Sequence, residues 1–101
     1  MQRVCKVDEI KPGEGVRVEV DGVPIAVFKV DGEFYALDDT CSHALASLAE
    51  GLVEEDTFEV ECPKHGSLFD VRDGKPRSLP ATQAVGTHTV IVKDDEIYVE
   101  V

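Results

Sequence analysis

Asp-Gly pairs set between short runs of alternating residues constrain the fold of this chain more than any other feature. Both residues of such a pair tolerate positive φ, so the pair closes a two-residue hairpin whose twist matches that of the flanking strands. Residues 15–20 read G-V-R-V-E-V, Asp21-Gly22 makes the turn, and residues 23–30 return. Asp31-Gly32 repeats the device before residues 33–37. Further strand-like runs cover 3–7, 57–61 and 67–71, and a last hairpin pairs 87–93 with 96–101 around Asp94-Asp95. Only 45–50 suggests a helical turn, and it is too short to stand alone. Many short strands at near-regular spacing predict an all-β chain, an antiparallel sandwich or barrel.

At 101 residues the chain has the size of one domain, 1–101. A domain this small buries only about two thirds of its unfolded surface, which favours a carrier or binder over a large enclosed enzyme. Twenty-one acidic against ten basic residues give a net charge of -11. That sign repels phosphate backbones, so nucleic-acid binding is not expected, and it suits steering onto a basic patch of a protein partner. Neither the start, Met1-Gln2-Arg3-Val4-Cys5-Lys6, nor any later stretch offers an apolar run for a signal or a membrane span. The expected location is the cytoplasm, with no membrane association. In that reducing setting three cysteines make a poor disulfide framework, and cysteines grouped with histidines point to metal.

The grouping is Cys41-Ser42-His43 and, with eighteen residues between, Cys62-Pro63-Lys64-His65. Each segment offers one thiolate and one imidazole from neighbouring loop positions. If both loops run the same way past a binuclear centre, Cys41 and Cys62 reach one iron and His43 and His65 the other. That is the ligand set of one Rieske-type [2Fe–2S] cluster. Two ferric ions, two sulfides, two thiolates and two neutral imidazoles sum to zero charge, whereas an all-cysteine cluster is a dianion. Adding an electron to the neutral centre is easier, so the site is suited to accepting and releasing single electrons. A tetrahedral zinc site in an interaction module is the competing reading, although zinc pairs usually come as C-x₂₋₄-C with H-x₃₋₅-H.

The segments C-S-H-A-L-A-S-L-A-E-G and C-P-K-H-G-S-L-F-D resemble the two cluster boxes of the Rieske family, in particular the soluble bacterial ferredoxins that serve aromatic-ring dioxygenases. The resemblance is strongest over 36–71. It implies a β-sandwich base, a small two-loop cluster-binding subdomain at about 39–80, and histidine edges exposed at one tip. It implies a one-electron carrier between a flavin-containing reductase and a terminal oxygenase, binding transiently as a monomer. Similar small proteins are encoded beside iron–sulfur assembly machinery, and the residues do not separate the two settings. Cytochrome bc-complex relatives carry one further cysteine per box, joined as a disulfide; the matching positions here are Ala46 and Lys64, so that bridge is impossible. Ser67 matches a serine whose hydroxyl reaches a bridging sulfide. Phe69 stands where those relatives have a tyrosine that donates to a ligand sulfur. Donors to sulfur stabilise the reduced state, so losing one predicts a low potential within the Rieske range. Pro80, in L-P-A, resembles a third loop that packs over the cluster.

A terminal oxygenase would need a mononuclear iron held by two histidines and a carboxylate. With His43 and His65 committed, only His88 remains, so the chain is not expected to be an enzyme itself. His88 is expected at the surface and Cys5 as a reduced core thiol. Lys64, Pro63, Leu45 and Leu68 are candidates for partner contact near the tip.

Overall fold

The computed structural model describes residues 2–41, 46–64, 66–79 and 81–100. The Asp-Gly pairs make the turns expected of them, with φ of 52° and 79° at Asp21-Gly22 and 52° and 80° at Asp31-Gly32. Asp94-Asp95 turns in the same left-handed region without a glycine, at 52° and 62°. These turns link β2 (Gly15–Val20), β3 (Val23–Val30) and β4 (Glu33–Asp38), and likewise β8 (Thr87–Lys93) and β9 (Glu96–Glu100).

A six-stranded sheet forms in the order β1-β9-β8-β4-β3-β2, with β1 spanning Gln2–Lys6. A second, three-stranded sheet is built from β5 (Val53–Glu54), β6 (Glu59–Glu61) and β7 (Leu68–Asp70). The pairs are antiparallel throughout. β4 and β8 are paired only at Ala36–His88 and Leu37–Thr87, so the large sheet folds over at that corner.

Strand β3, V-P-I-A-V-F-K-V, has almost no polar face, and the structure shows why. Its side chains alternate between two cores, as the period-2 geometry of a strand requires. Ile25 and Val27 join Cys5, Ile10, Val20, Ile97 and Val99 in the core of the base. Ala26, Phe28 and Val30 point the other way, into a core shared with Cys41, Leu48, Val60, Cys62, Phe69 and Val71. The large sheet thus forms the floor on which the second sheet and the two cysteine segments rest.

Several expectations need correction. The 57–61 run is a strand only over Glu59–Glu61. Phe58 sits at φ +58°, a strained position for a bulky residue. Its ring lies 4.4 Å beneath the Arg72 guanidinium and packs edge-on against Tyr35 at 6.1 Å, contacts that offset the strain. The 45–50 segment yields a single 3₁₀ turn at Leu48–Glu50, with Leu45 outside the described residues. Val7 leaves the first strand to open a turn at Val7–Glu9. Gly74 is required where it stands, because its φ is +74° and a Cβ would collide with the Val85 carbonyl. Among the described residues, no helix is long and apolar enough to cross a membrane.

Candidate metal centre

Each candidate cysteine opens a loop closed in the same way. The Cys41 N–H donates to the Ala46 carbonyl at 3.0 Å, and the Cys62 N–H donates to the Ser67 carbonyl at 2.7 Å. Both closures span five residues. The second loop is tightened by Gly66, at φ +74°, whose N–H returns to the Cys62 carbonyl at 3.0 Å. Cys41 follows the end of β4 and Cys62 the end of β6, so two different sheets deliver the loops to one place. The two cysteines are 4% and 1% exposed and belong to one core, with Leu48, Val60 and Phe69 around them. None of the three cysteines is joined in a disulfide.

That environment fits a metal cluster. A bare thiolate in an apolar core carries a large desolvation cost, whereas a thiolate bonded to iron has its charge neutralised there. His43, His65 and Pro80 lie outside the described residues. Ser67 and Phe69 are fully buried next to the second loop. The Ser67 Oγ accepts from the Ala81 N–H at 3.1 Å, and the Ser78 Oγ accepts from the Leu68 N–H at 2.9 Å. The segment leading up to Pro80 is therefore stitched back along β7, beside the second cysteine loop. Ala46 is half-buried and Lys64 exposed.

Two buried carboxylates near these loops escaped the sequence reading. Asp70 is 1% exposed and lies between two guanidinium groups. Its Oδ1 accepts from the Arg72 backbone N–H at 2.8 Å and from Nε at 3.0 Å, its Oδ2 accepts from Arg72 Nη2 at 2.8 Å, and Arg77 Nη2 donates to the same oxygen. The Arg72 hydrogen bonds hold its carboxyl at about 2, against an ordinary 3.8. Asp39, 3% exposed, stands two residues before Cys41. Buried carboxylates need such partners, so an Arg or Ser within reach of a flanking Asp is the signal that marks them. In a chain with 21 acidic residues, that signal is diluted.

Other residues fall as follows. Cys5 is buried in the base core, where desolvation and the nearby Glu9 push its thiol up. His88 is not a surface residue: its side chain is 13% exposed and its Nε2 lies 2.7 Å from Asp38 Oδ1. Pro63 and Lys64 are exposed and Leu68 is half-buried. Leu79, immediately before Pro80, is 78% exposed and was not anticipated.

An antiparallel β base that holds two cysteine-headed loops over a common buried floor is the build of an iron–sulfur electron carrier. A family profile for the Rieske [2Fe-2S] domain matches residues 1–98, and the chain belongs to that family. It is 48% identical over 98 residues to the 3-phenylpropionate/cinnamic acid dioxygenase ferredoxin subunit of Photorhabdus laumondii, covering 97% of this chain and 91% of that one. Its fold superposes on the ferredoxin of carbazole 1,9a-dioxygenase from Nocardioides aromaticivorans with a TM-score of 0.93 at 39% identity, over 96% and 93% of the two chains. It is similar also to a chain in the complex of reduced oxygenase and oxidised ferredoxin of carbazole 1,9a-dioxygenase, with a TM-score of 0.89, 43% identity and coverage of 97% and 99%. The chain is a Rieske ferredoxin, a one-electron carrier with one [2Fe–2S] cluster rather than a catalytic subunit.

Proposed function

We propose that Cys41 and Cys62 bind one iron of the cluster and His43 and His65 the other. We propose further that the chain, as a cytoplasmic monomer and single domain over 1–101 with its cluster subdomain at about 39–80, carries electrons singly from a flavin-containing reductase to the terminal oxygenase of an aromatic-ring dioxygenase. The observation that carries the ligand assignment is the matching five-residue closure of the two cysteine loops over one buried core. Equivalent loops present equivalent ligands, and both thiols are buried. The names of the relatives, ferredoxins of dioxygenases for aromatic compounds, support the choice of partner.

When bound, the cluster supplies reversible one-electron exchange from a neutral oxidised form. The chain's own residues set the conditions for it. The apolar core around Cys41 and Cys62 excludes water from the sulfur side. Ser67, whose oxygen already accepts from Ala81, has its O–H proton left to donate toward sulfur. Phe69 offers no such proton, which keeps the potential low in the Rieske range. Exposed Pro63, Lys64 and Leu79 form the rim that a partner meets. Electron-transfer encounters need only a small, transient contact, and the -11 body accelerates approach to a basic docking face.

The reading is tested in a reconstituted chain of reductase, this ferredoxin and an aromatic-ring oxygenase. Turnover requires the ferredoxin, and raising salt from about 0.02 M to about 0.5 M slows electron delivery by roughly tenfold, because screening removes the steering. Equal turnover without the ferredoxin would remove the assigned role, and a rate indifferent to salt would remove the steering.

A further inference from the structure

Asp39 holds more contacts than a strand-end residue needs. Its Oδ1 accepts from the Ser47 hydroxyl at 2.8 Å and from the Ala49 N–H at 3.0 Å. Its Oδ2 faces Arg17 Nε on β2 at 3.3 Å. Its carbonyl accepts from the Leu48 N–H at 2.7 Å, and its own N–H donates to the Pro24 carbonyl at 3.1 Å. A bridge between Thr40 and Ser47 lies just above. These bonds join the chain entering the first cysteine loop to the chain leaving it, and fasten both to the large sheet.

We propose that Asp39 is a positioning residue for the cluster: it clasps the loop bearing Cys41 and His43 shut at its base, and together with Arg17 it sets the charge that the loop's ligands feel. The proposal rests on the ligand assignment above. Asp70 has a different role, since its partners Arg72 and Arg77 lie downstream of the second loop.

The charge argument follows from distance. Consecutive Cα atoms are about 3.8 Å apart, so the Asp39 and Cys41 backbones are within about 7.6 Å of each other. A charge that close, buried on one side, is only partly screened. Asp39 disfavours an added electron and Arg17 favours it; in the native pair the two effects largely offset. Removing one member exposes the other, so the two neutralising variants shift reduction in opposite directions. Arg17 is about half exposed, so its effect is the smaller.

The test uses the purified holoprotein and the variants Asp39→Asn, Arg17→Gln, Asp39→Ala and, as a control, Glu19→Gln. Glu19 lies 3.4 Å from Arg17 and is 60% exposed. Asn keeps an oxygen for Ser47 and Ala49 while losing the charge. With wild-type iron content, Asp39→Asn raises the equilibrium constant for reduction roughly three- to tenfold, and Arg17→Gln lowers it up to about threefold. Glu19→Gln leaves it in place. Asp39→Ala also breaks the clasp, so its reduced protein shows altered paramagnetic resonance positions and loses iron to a chelator at least about tenfold faster than Asp39→Asn. Loaded Asp39→Asn and Arg17→Gln proteins with the wild-type potential, or with shifts of the same sign, would overturn the proposal, even if both melt earlier. A wild-type protein without the Rieske spectrum would instead overturn the ligand assignment, and that is seen before any variant is made.

Discussion

His43→Cys lowers the reduction potential by roughly 100 mV or more and replaces the two-imidazole spectrum with that of a cluster held by three thiolates and one imidazole. The sign follows from charge. A neutral imidazole becomes a thiolate, the oxidised centre gains a negative charge, and an incoming electron is repelled. The size is about half the gap between Rieske centres, at about -150 to +300 mV, and plant-type all-cysteine ferredoxins near -400 mV, because one of the two imidazoles is exchanged. Spectroelectrochemical titration of the loaded variant measures it. A potential and spectrum indistinguishable from wild type would remove His43 from the ligand set.

Asp70→Ala costs about 3 kcal/mol of stability, roughly 15 °C in Tm, the largest loss expected from a residue that touches no metal. The side chain is buried and accepts from two arginines, and truncation strands Arg72 and Arg77 while leaving a void beside Phe69 and Val71. The milder Asp70→Asn isolates the ionic part. The folded carboxyl is held at about 2, below its ordinary 3.8. A depressed carboxyl contributes fully above the unfolded value, and its contribution is lost as pH falls from about 4 through 2. The shift corresponds to about 2 kcal/mol. Urea midpoints of wild type and Asp70→Asn therefore differ by the same amount at pH 7 and pH 5. At pH 3 the difference falls to about half, and a difference unchanged from pH 7 to pH 3 would show that the carboxyl titrates near its ordinary value.

The sequence carried the hairpins almost to the residue, because Asp-Gly chemistry and period-2 alternation are both local. It carried the two cysteine loops for the same reason: their ligands are close neighbours in the chain. What it missed depends on distant partners. The pairing of β1 with β9 and the two-residue strand β5 have no local signature. Phe58 reads as a strand residue and turns left-handed because Arg72 and Tyr35 hold its ring. His88 looks solvated until Asp38, fifty residues away, is placed beside it. Asp39 looks like a surface acid in an acidic chain until Arg17 arrives from another strand, and Asp70 looks like one until the fold buries it beside Arg72 and Arg77, two and seven residues further on. Patterns reveal which residues alternate or cluster; only the fold shows which charges are buried together.

The central claim is that two sulfur ligands and two nitrogen ligands divide between two irons. Nitrogen hyperfine spectroscopy of the dithionite-reduced protein, with iron and sulfide counted on the same sample, tests it most directly. The account predicts two irons and two sulfides per chain and couplings from two imidazole nitrogens, both lost to a single coupling when either His43 or His65 is replaced. A paramagnetic cluster with no nitrogen coupling, or a colourless protein holding one zinc, would contradict it.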